Sequence, residues 1–451
     1  MSAMRDLEET FKGACAALFD ELSGGEELSV GFSGESSDFL RFNRGKVRQI
    51  GHVDGASLRF KYYRGGRSLA SGFEATGEAE ADRRKAAMAL EAARREAALL
   101  PPDPYQVLPK AAASSREEFP GRLPDPGRLP QEILGPGQAL EAAGAEFVGI
   151  HAQGPICRGA ATSAGARHWF AAESFIADYS AYLPNGKALK SCYAGREWDG
   201  GEYARRLASE ASRLEALGRP ERAVPPGEYR AYIAPEALAE FIDFFSWYGL
   251  SERQIREGES AFISLKEGRT SLSPRFDLVQ DFSLGVEPRF NESGEVAPER
   301  LRLIAGGKLA STLVSARSER QYGLPANAAP EEEFLRSAAI GAGELDEDRA
   351  LEALGTGLYL SNLHYLNWSD VDSARVTGMT RFACFWVEGG RIVSPIKDLR
   401  FDDSLYRVFG DRLEALTARR SLVVNPSTYE ERALGGSLLP GILLSGLTFT
   451  L

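Results

Sequence analysis

Apolar residues recur at helical spacing from Leu7 to Leu22, and this stretch ends at Gly24-Gly25. The pattern predicts a helix with a glycine stop. An Ala-, Arg- and Glu-rich stretch from Glu78 to Leu100 predicts a second helix, closed by two prolines. Between the two, short β-type runs separated by glycine-containing turns predict an antiparallel meander, with strands at 28–33, 38–43, 46–52, 56–63 and 67–73. The order helix, meander, helix predicts an α+β unit with its helices on one face of the sheet.

Residues 101–136 are rich in proline and poor in periodicity, which predicts a long surface connection with no core element. Beyond this connection, alternating runs predict further strands at 145–150, 160–162, 167–183 and 188–193. Gly200 to Leu217 has helical spacing and is followed by a proline-bearing link. We place a domain boundary there, which gives an N-terminal α+β domain at 1–220 and a C-terminal domain at 225–451.

The C-terminal half is dominated by β-type patterns. It opens with a strand at 228–233 and a helix at 236–248 that Pro235 introduces. Gly306-Gly307 and Gly389-Gly390 each separate two β-rich runs and predict hairpins, because glycine supplies the positive φ of a tight turn. Asn367 to Arg375 is polar and predicts an excursion over one end of a sheet. Other strands are expected at 276–281, 301–304, 308–314 and 357–365, with one or two more after 438. The fold class is therefore α+β, with an N-terminal antiparallel sheet and flanking helices before a β-rich C-terminal domain.

The composition of the chain argues against several classes of function. The chain has 451 residues, 43% hydrophobic and 26% charged, and a net charge of −11, which argues against direct binding of nucleic acid. No apolar run approaches the length of a membrane span, and the N-terminus does not resemble a signal peptide. The four cysteines lie far apart without C-x-x-C spacing, so a cytoplasmic protein with reduced thiols is expected.

The sequence contains no strong motif for catalysis or metal binding. The four histidines include no close pair, and none is followed by Glu, so no metal site is predicted. Ser394 to Lys397 fits S-x-x-K, but proline follows the serine in a predicted strand, so chance explains the match better. The sequence contains no P-loop, dinucleotide fingerprint or G-x-S-x-G elbow. No catalytic residue is predicted on these grounds.

Three segments carry a family resemblance: FLRFNRGKVRQIGHVDGASLRFKYYRGGRSLASGF at 39–73, GLYLSNLHYLNWSD at 357–370 and FWVEGGRIVSPIKDLRF at 385–401. Together they resemble the TldD/PmbA (TldE) family, known as modulators of DNA gyrase. The resemblance implies a TldD/PmbA-like fold. In this family the TldD-type subunit is a metallopeptidase whose H-E-x-x-x-H motif supplies zinc ligands and a general base. The PmbA or TldE type lacks the motif and pairs with the catalytic subunit to degrade or trim small peptides.

The motif position in this chain departs from the catalytic pattern. We align H-E-x-x-x-H-G-L with residues 243–250, where Gly249-Leu250 is retained. Asp243 and Tyr248 replace the two histidines, and Phe244 replaces the glutamate. One carboxylate beside two aromatics cannot hold Zn²⁺ or activate water.

The resemblance thus implies a metal-free, non-catalytic subunit that pairs with a TldD-like metallopeptidase, with zinc in that partner and none in this chain. Its substrate would be a peptide, and the residues expected to line the peptide cavity are Asn362, His364, Tyr365 and Trp368. Two alternatives stay open. One is an independent hydrolase with a non-standard site around His364, Asp370, Asp372 and Cys384. The other is a homodimeric peptide-binding protein.

Overall fold

The computed structural model of the protein describes residues 2–109 and 114–450. Short 3-10 turns at Pro126–Arg128, Asp243–Phe245, Phe282–Leu284 and Glu347–Arg349 accompany the helices. The helices are α1 (Ser2–Asp20), α2 (Ala79–Ala97), α3 (Leu129–Ala142), α4 (Gly200–Leu217), α5 (Pro235–Ile242), α6 (Glu252–Glu257), α7 (Ile263–Lys266), α8 (Ala316–Tyr322), α9 (Ala350–Leu354) and α10 (Leu405–Val408).

Strands form two separate sheets. The N-terminal sheet contains β1 (Glu27–Asn43), β2 (Lys46–Arg64), β3 (Arg67–Glu74), β4 (Ser115–Phe119), β5 (Glu146–Thr162), β6 (Arg167–Tyr182) and β7 (Ala188–Gly195). The C-terminal sheet contains β8 (Gly227–Ile233), β9 (Leu278–Asp281), β10 (Arg300–Ala305), β11 (Lys308–Leu309), β12 (Ser337–Ile340), β13 (Gly357–Leu360), β14 (Asn362–Asp370), β15 (Arg375–Arg381), β16 (Phe385–Glu388), β17 (Arg391–Pro395), β18 (Arg400–Ser404), β19 (Leu413–Val424) and β20 (Gly436–Phe449). The α+β fold class is confirmed.

The N-terminal sheet has the order β3-β2-β1-β5-β6-β4, with β7 also paired to β6. All pairs are antiparallel except β4 with β6. Side chains alternate across a sheet, and alternate residues of β1 and β6, such as Phe32, Phe42, Trp169 and Tyr179, pack against α1 to α4. The helices therefore lie on one face, as predicted. The strands predicted at 28–33 and 38–43 are one strand, because β2 pairs with the whole stretch.

The prediction that residues 101–136 contain no core element is wrong. Ser115–Phe119 forms the edge strand β4, and Leu129 and Ile133 in the first turns of α3 are fully buried. The many prolines in this stretch obscure the sequence patterns of both the strand and the helix. Pro130 lies in the first turn of α3, where its missing N–H costs nothing, and an edge strand tolerates prolines nearby.

The C-terminal sheet is built around β20, which pairs with β8, β12, β18 and β19. Both double-glycine hairpins are present, β10–β11 and β16–β17, with all four turn glycines at positive φ. The excursion predicted at Asn367–Arg375 is wrong, because residues 362–370 form β14, which pairs with β15 around a short turn. The strand predicted at 308–314 ends at Leu309. No helix in the described ranges is long and apolar enough to cross a membrane.

One hydrophobic cluster joins the two sheets. It contains Phe147 and Tyr179 from the N-terminal sheet and Leu207 from α4, together with Tyr359 and Leu443 from the C-terminal sheet. The two β-rich halves therefore share part of their core, and the space beside this cluster is where the candidate site lies.

Candidate functional site

Helix α5 is short, with an apolar side and an acidic side. Pro235 stands in its first turn, where proline is tolerated, and Glu236 follows close to the positive end of the helix dipole. One side is buried in the C-terminal core through Ala237, Leu238, Phe241 and Ile242. The other side carries Glu236, Glu240 and Asp243 at spacings of four and three residues, which places the three carboxylates along one face.

The helix ends earlier than the predicted range of 236–248. After Ile242 the chain tightens into a 3-10 turn, and Phe244 and Phe245 pack in different directions. Both belong to the C-terminal core, but Phe244 meets Trp368 edge-on with ring centroids 4.7 Å apart, whereas Phe245 stacks on Phe262. Tyr248 then adopts φ +57°, so the chain turns back on itself.

The six residues that we aligned with H-E-x-x-x-H therefore do not lie on a helical face. Phe244 is buried under Trp368, and Tyr248 lies beyond the helix in a left-handed conformation. Helix α5 itself offers a second register for the same spacing, starting at Pro235. In that register Glu236 occupies the glutamate position and Glu240 the second histidine position. Sequence reasoning missed both, although the helical spacing of the acids was visible.

Two adjoining cavities flank the polar face of α5. Their volumes are about 620 Å³ and about 510 Å³, and both are lined by Lys190, Ser191, Glu236 and Asn362. We call the combined space the α5 groove. Strand β7 of the N-terminal sheet forms one wall, and the start of β14 contributes to the opposite one. Glu240 and Asp243 line the smaller cavity.

The side chains of Glu240 and Asp243 are exposed to water, and that of Glu236 is half-buried, although the surrounding protein removes part of the hydration of all three carboxylates. Burial raises the pKa of Asp243 to about 6, and burial also raises the pKa of Glu240, with the neighbouring Asp243 carboxylate adding to the effect. Burial raises the pKa of Glu236 as well, against the opposing attraction of Arg206 and Arg213. Within the described ranges, none of the three carboxylates has a cation at ion-pair distance.

Arg213 on α4 lies in the larger cavity. Its Nη1 donates to the Tyr359 hydroxyl at 3.0 Å, and its guanidinium lies 5.3 Å from the centre of the same ring. Tyr359 in turn stacks on Tyr232 at 5.5 Å. No carboxylate of the described chain lies within ion-pair distance of Arg213, so this cation is held by aromatic rings instead of an acid.

Glu210 lies one helical turn before Arg213 and is 8% exposed. Its Oε1 accepts a hydrogen bond from the Tyr179 hydroxyl at 3.1 Å, whereas Oε2 has no partner that satisfies hydrogen-bond geometry. Burial raises the pKa of Glu210 to about 7, with the nearby hydroxyls of Ser191 and Tyr179 opposing the shift. The carboxyl is thus poised between its two protonation states at neutral pH.

Replacing Glu210 with Gln is expected to flatten the pH dependence of stability. The folded protein holds this proton up to a pKa of about 7, whereas the unfolded chain releases it near 4.5. At low pH the carboxyl is protonated in both states, so it does not lower the stability. As the pH rises from about 4.5 to about 7, the unfolded chain releases the proton first, so the free energy of unfolding falls, by about 3 kcal/mol at most. Urea unfolding from pH 5 to 8 measures the change, with Glu215→Gln on the exposed face of the same helix as the control. If the free energy of unfolding changed with pH equally in Glu210→Gln and in the native chain, the raised pKa of Glu210 would be contradicted.

Of the predicted cavity-lining residues, Asn362 lines both cavities of the groove. His364, Tyr365 and Trp368 do not line either cavity. His364 accepts a hydrogen bond from Arg381, 2.7 Å away, and Trp368 donates to the backbone carbonyl of Trp247. Tyr365 points into solvent and is 80% exposed. Of the β14 residues, only the first one lines the groove.

The residues of the alternative hydrolase site are not brought together. His364 pairs with Met379 near one end of β14, and Asp370 pairs with Arg375 at the other end, roughly 20 Å away at 3.3 Å per residue. Asp370 and Asp372 belong to the exposed turn. Burial raises the pKa of the Cys384 thiol, which disfavours the nucleophilic thiolate.

Zinc does not fit the residues that α5 presents. Protein zinc sites use mainly Cys and His with carboxylates as a minority ligand, and the groove face of α5 carries carboxylates only. Across the described ranges, no three His, Cys, Asp or Glu side chains cluster in a way that could hold a metal ion. We therefore derive no chemical step through a metal in this chain.

The C-terminal half of the chain matches a known protein family. Residues 226–451 match the model of the PmbA/TldA metallopeptidase C-terminal domain. A search of curated proteins found no match.

Solved structures share the fold over almost the whole chain. A protein described as a modulator of a DNA gyrase from Thermotoga maritima is 14% identical, with a TM-score of 0.73 over 98% of this chain and 100% of that one. TldE from Thermococcus kodakarensis is 13% identical, with a TM-score of 0.73 over 99% and 100%. A modulator of DNA gyrase from Bacteroides thetaiotaomicron is 12% identical, with a TM-score of 0.70 over 99% and 98%. At these identities the likeness is one of fold.

Proposed function

Because the chain belongs to the TldD/PmbA family of metallopeptidase-like proteins, we propose that it is the metal-free subunit of a TldD/TldE-type complex that processes small peptides. The partner is a TldD-like subunit that carries H-E-x-x-x-H, binds zinc and supplies the general base. This chain contributes surfaces that enclose and hold the peptide. The complex is cytoplasmic, in keeping with four unbridged cysteines.

The observation that carries this proposal is the chemistry of α5 and the turn after it. No histidine lies between Pro235 and Tyr248, the residues that span both motif registers. One register places the buried Phe244 at the glutamate position and Tyr248 at the second histidine position, and the other offers carboxylates without a zinc-binding companion within the described residues. The family fold is therefore retained around a helix that is unsuited to the metal chemistry.

A partner-facing surface is suggested by two exposed aromatic side chains. Tyr365 on β14 is 80% exposed, and Trp247 beside this strand is 45% exposed. Trp368 joins them, since its indole N–H donates to the carbonyl of Trp247 at 3.0 Å. Large aromatics exposed together are typical of interfaces, where Tyr and Trp are enriched.

Co-expression with a TldD-like protein that carries H-E-x-x-x-H is expected to yield a stable complex on size exclusion with light scattering. Zinc analysis should find metal in the complex and none in the isolated chain. Tyr365→Ser should weaken the complex about tenfold or more, since a buried interface tyrosine contributes about 2 kcal/mol. Tyr429→Ser, at another residue that is 84% exposed, is the matched control.

Stoichiometric zinc in the isolated chain would overturn the metal-free assignment. A stable homodimer that ignores every H-E-x-x-x-H partner would favour the homodimeric peptide-binding alternative. Equal weakening by Tyr365→Ser and Tyr429→Ser would remove the aromatic surface from the interface.

A further inference from the structure

Strand β2 is paired on only one side over about half of its length. Strand β1 pairs with residues 46–63 of β2. On the other side, β3 pairs only with residues 57–64, and the last hydrogen bond there runs from the Ala75 N–H to the Ala56 carbonyl, 2.8 Å away. In the part of the chain that the structure describes, no strand covers residues 46–55 on that side. We call residues 46–55 the open edge.

The backbone of the open edge offers hydrogen-bonding groups to a further strand. Neighbouring residues of an antiparallel strand point their N–H and C=O groups to opposite sides. The Ala56 carbonyl points to the β3 side, and the register with β1 is unbroken from Gln49 onward, so the groups of Ile50, His52 and Asp54 point to the same side. Such an edge is a template for pairing and is usually blocked by proline or covered. Residues 46–55 contain no proline.

The apolar side chains of the open edge are typical of a paired strand. Val47, Ile50 and Val53 are exposed, and the fraction exposed reaches 56% for Ile50. β-branched residues fit the pleated surface of a sheet, and a neighbouring strand removes part of their surface from water. The edge therefore combines free backbone groups with apolar side chains that gain from a cover.

Charges are segregated along the open edge. Its first half carries Lys46 and Arg48, and no carboxylate of the described residues lies at ion-pair distance from either. Its second half carries His52 between two acids, with Nδ1 2.8 Å from Asp38 Oδ1 and Nε2 3.1 Å from Asp54 Oδ1. Two carboxylates around one imidazole leave this half negative in either protonation state of the histidine. The open edge thus has a basic half and an acidic half.

A second copy of the same edge, in antiparallel orientation, complements both patterns. The midpoint of residues 46–55 falls at Ile50 and Gly51, and Ile50 is the one whose backbone groups point outward. A two-fold axis at Ile50 sets the basic half of each copy along the acidic half of the other, and it brings the two Ile50 side chains together. Parallel pairing would instead set like charges side by side.

We propose that two copies of this chain pair through residues 46–55 of β2, antiparallel about Ile50, so that the two N-terminal sheets become one continuous sheet. The inference goes beyond the proposed function and does not rest on it. The aromatic residues of the partner-facing surface, Tyr365 and Trp247, belong to the C-terminal half of the chain. A complex with a TldD-like subunit therefore contains two copies of this chain.

Light scattering after size exclusion of the isolated chain, from about 1 to 100 µM, tests the pairing. The mass should be twice 49.0 kDa. Ile50→Pro should give a monomer, because proline removes an outward N–H and leaves the ladder with β1 intact. Ile50→Val keeps the N–H and the branched side chain, so this control should stay dimeric. A monomeric native chain, or a dimer of Ile50→Pro with an unchanged circular dichroism spectrum, would overturn the proposal.

Charge variants test the antiparallel orientation. Lys46→Glu with Arg48→Glu makes the basic half acidic, and Asp54→Lys makes the acidic half basic. Each variant alone should dimerise about tenfold more weakly or worse, because like charges then face each other. An equimolar mixture of the two should restore the dimer, since opposite charges face each other on both sides of the axis. Arg84→Glu on α2 is the exposed control. A mixture as weak as the separate variants would overturn the antiparallel arrangement.

Hydrogen exchange locates the interface directly. The backbone N–H groups of His52 and Asp54 should exchange about tenfold more slowly or less in the native dimer than in Ile50→Pro, because only the dimer supplies them with acceptors. A native dimer in which these two groups exchange as fast as in Ile50→Pro would use another surface, and the proposal would fail.

The outcome is separate from that of the partner experiment. Ile50→Pro should still bind a TldD-like subunit, but with one copy of each chain. If the native chain paired with itself and bound no H-E-x-x-x-H partner, the proposed function alone would fail. If the native chain bound such a partner with a single copy of each chain, the pairing through β2 alone would fail.

Discussion

Phe245→Ala is expected to lower the free energy of unfolding by about 3–5 kcal/mol. Phe245 is fully buried at the centre of the C-terminal core. Its ring lies 4.8 Å from Phe262, 5.8 Å from Phe276 and 5.4 Å from Phe409, measured between centroids. Removal of the ring leaves a cavity whose walls include rings from three separate segments, so collapse can fill little of it.

Urea unfolding followed by tryptophan fluorescence measures this change. Phe334→Ala is the matched control, because Phe334 is 42% exposed and its removal leaves no closed cavity. A change below about 1 kcal/mol for Phe245→Ala would show that the aromatic cluster relaxes freely, contrary to a close-packed core.

Arg432→Met is expected to cost about 3–5 kcal/mol, since it removes a buried cation that joins the two sheets. Arg432 lies in the loop between β19 and β20 and reaches the N-terminal sheet. Its guanidinium donates to Ser37 Oγ at 3.1 Å, to the Gly154 carbonyl at 3.2 Å, and to the carbonyl and hydroxyl of Ser174 at 3.1 and 2.7 Å. Burial lowers the pKa of Arg432 to about 10, with the charge of Glu35 opposing the shift.

Methionine fills a similar volume but leaves the carbonyls of Gly154 and Ser174 without their donor. The buried Glu35 carboxylate keeps its hydrogen bond from the backbone N–H of residue 432 but loses the nearby positive charge. Arg432→Lys should recover less than half of the loss, because an ammonium cannot reproduce the planar fork. Arg95→Met, at an arginine on the exposed face of α2, is the control. A free energy of unfolding within about 1 kcal/mol of the native value for Arg432→Met would contradict the role of this residue. Chemical denaturation with circular dichroism gives the comparison.

The local pattern of apolar residues and glycines in the sequence is sufficient to predict much of the fold. Helix α4 begins and ends at the predicted residues, Gly200 and Leu217, because its apolar spacing is regular and glycines flank it. The β16–β17 hairpin follows from Gly389-Gly390, whose positive φ values other residues rarely adopt. Periodicity and turn chemistry act over a few residues, so sequence alone shows them.

The candidate site depended on tertiary packing, which the pattern does not reveal. In the sequence, Arg213 and Glu210 look like ordinary polar positions of an amphipathic helix. Only the fold shows that Arg213 is half-buried and donates to Tyr359, which lies almost 150 residues away in the chain. The sequence pattern predicts a helix that includes Tyr248, whereas the helix ends at Ile242, a 3-10 turn follows, and Tyr248 has a positive φ. Proline density likewise hid α3, whose buried leucines have meaning only against β5.

The hydrophobic cluster shared by the two sheets makes the C-terminal family domain depend on the N-terminal half of the chain. The family domain covers residues 226–451, yet Tyr359, Phe385 and Leu443 of that stretch are covered by α3, α4 and the N-terminal sheet. A fragment cut at residue 226 would expose an apolar face that no element of its own can cover. The family model of residues 226–451 therefore describes a stretch whose core depends on the N-terminal half of the chain.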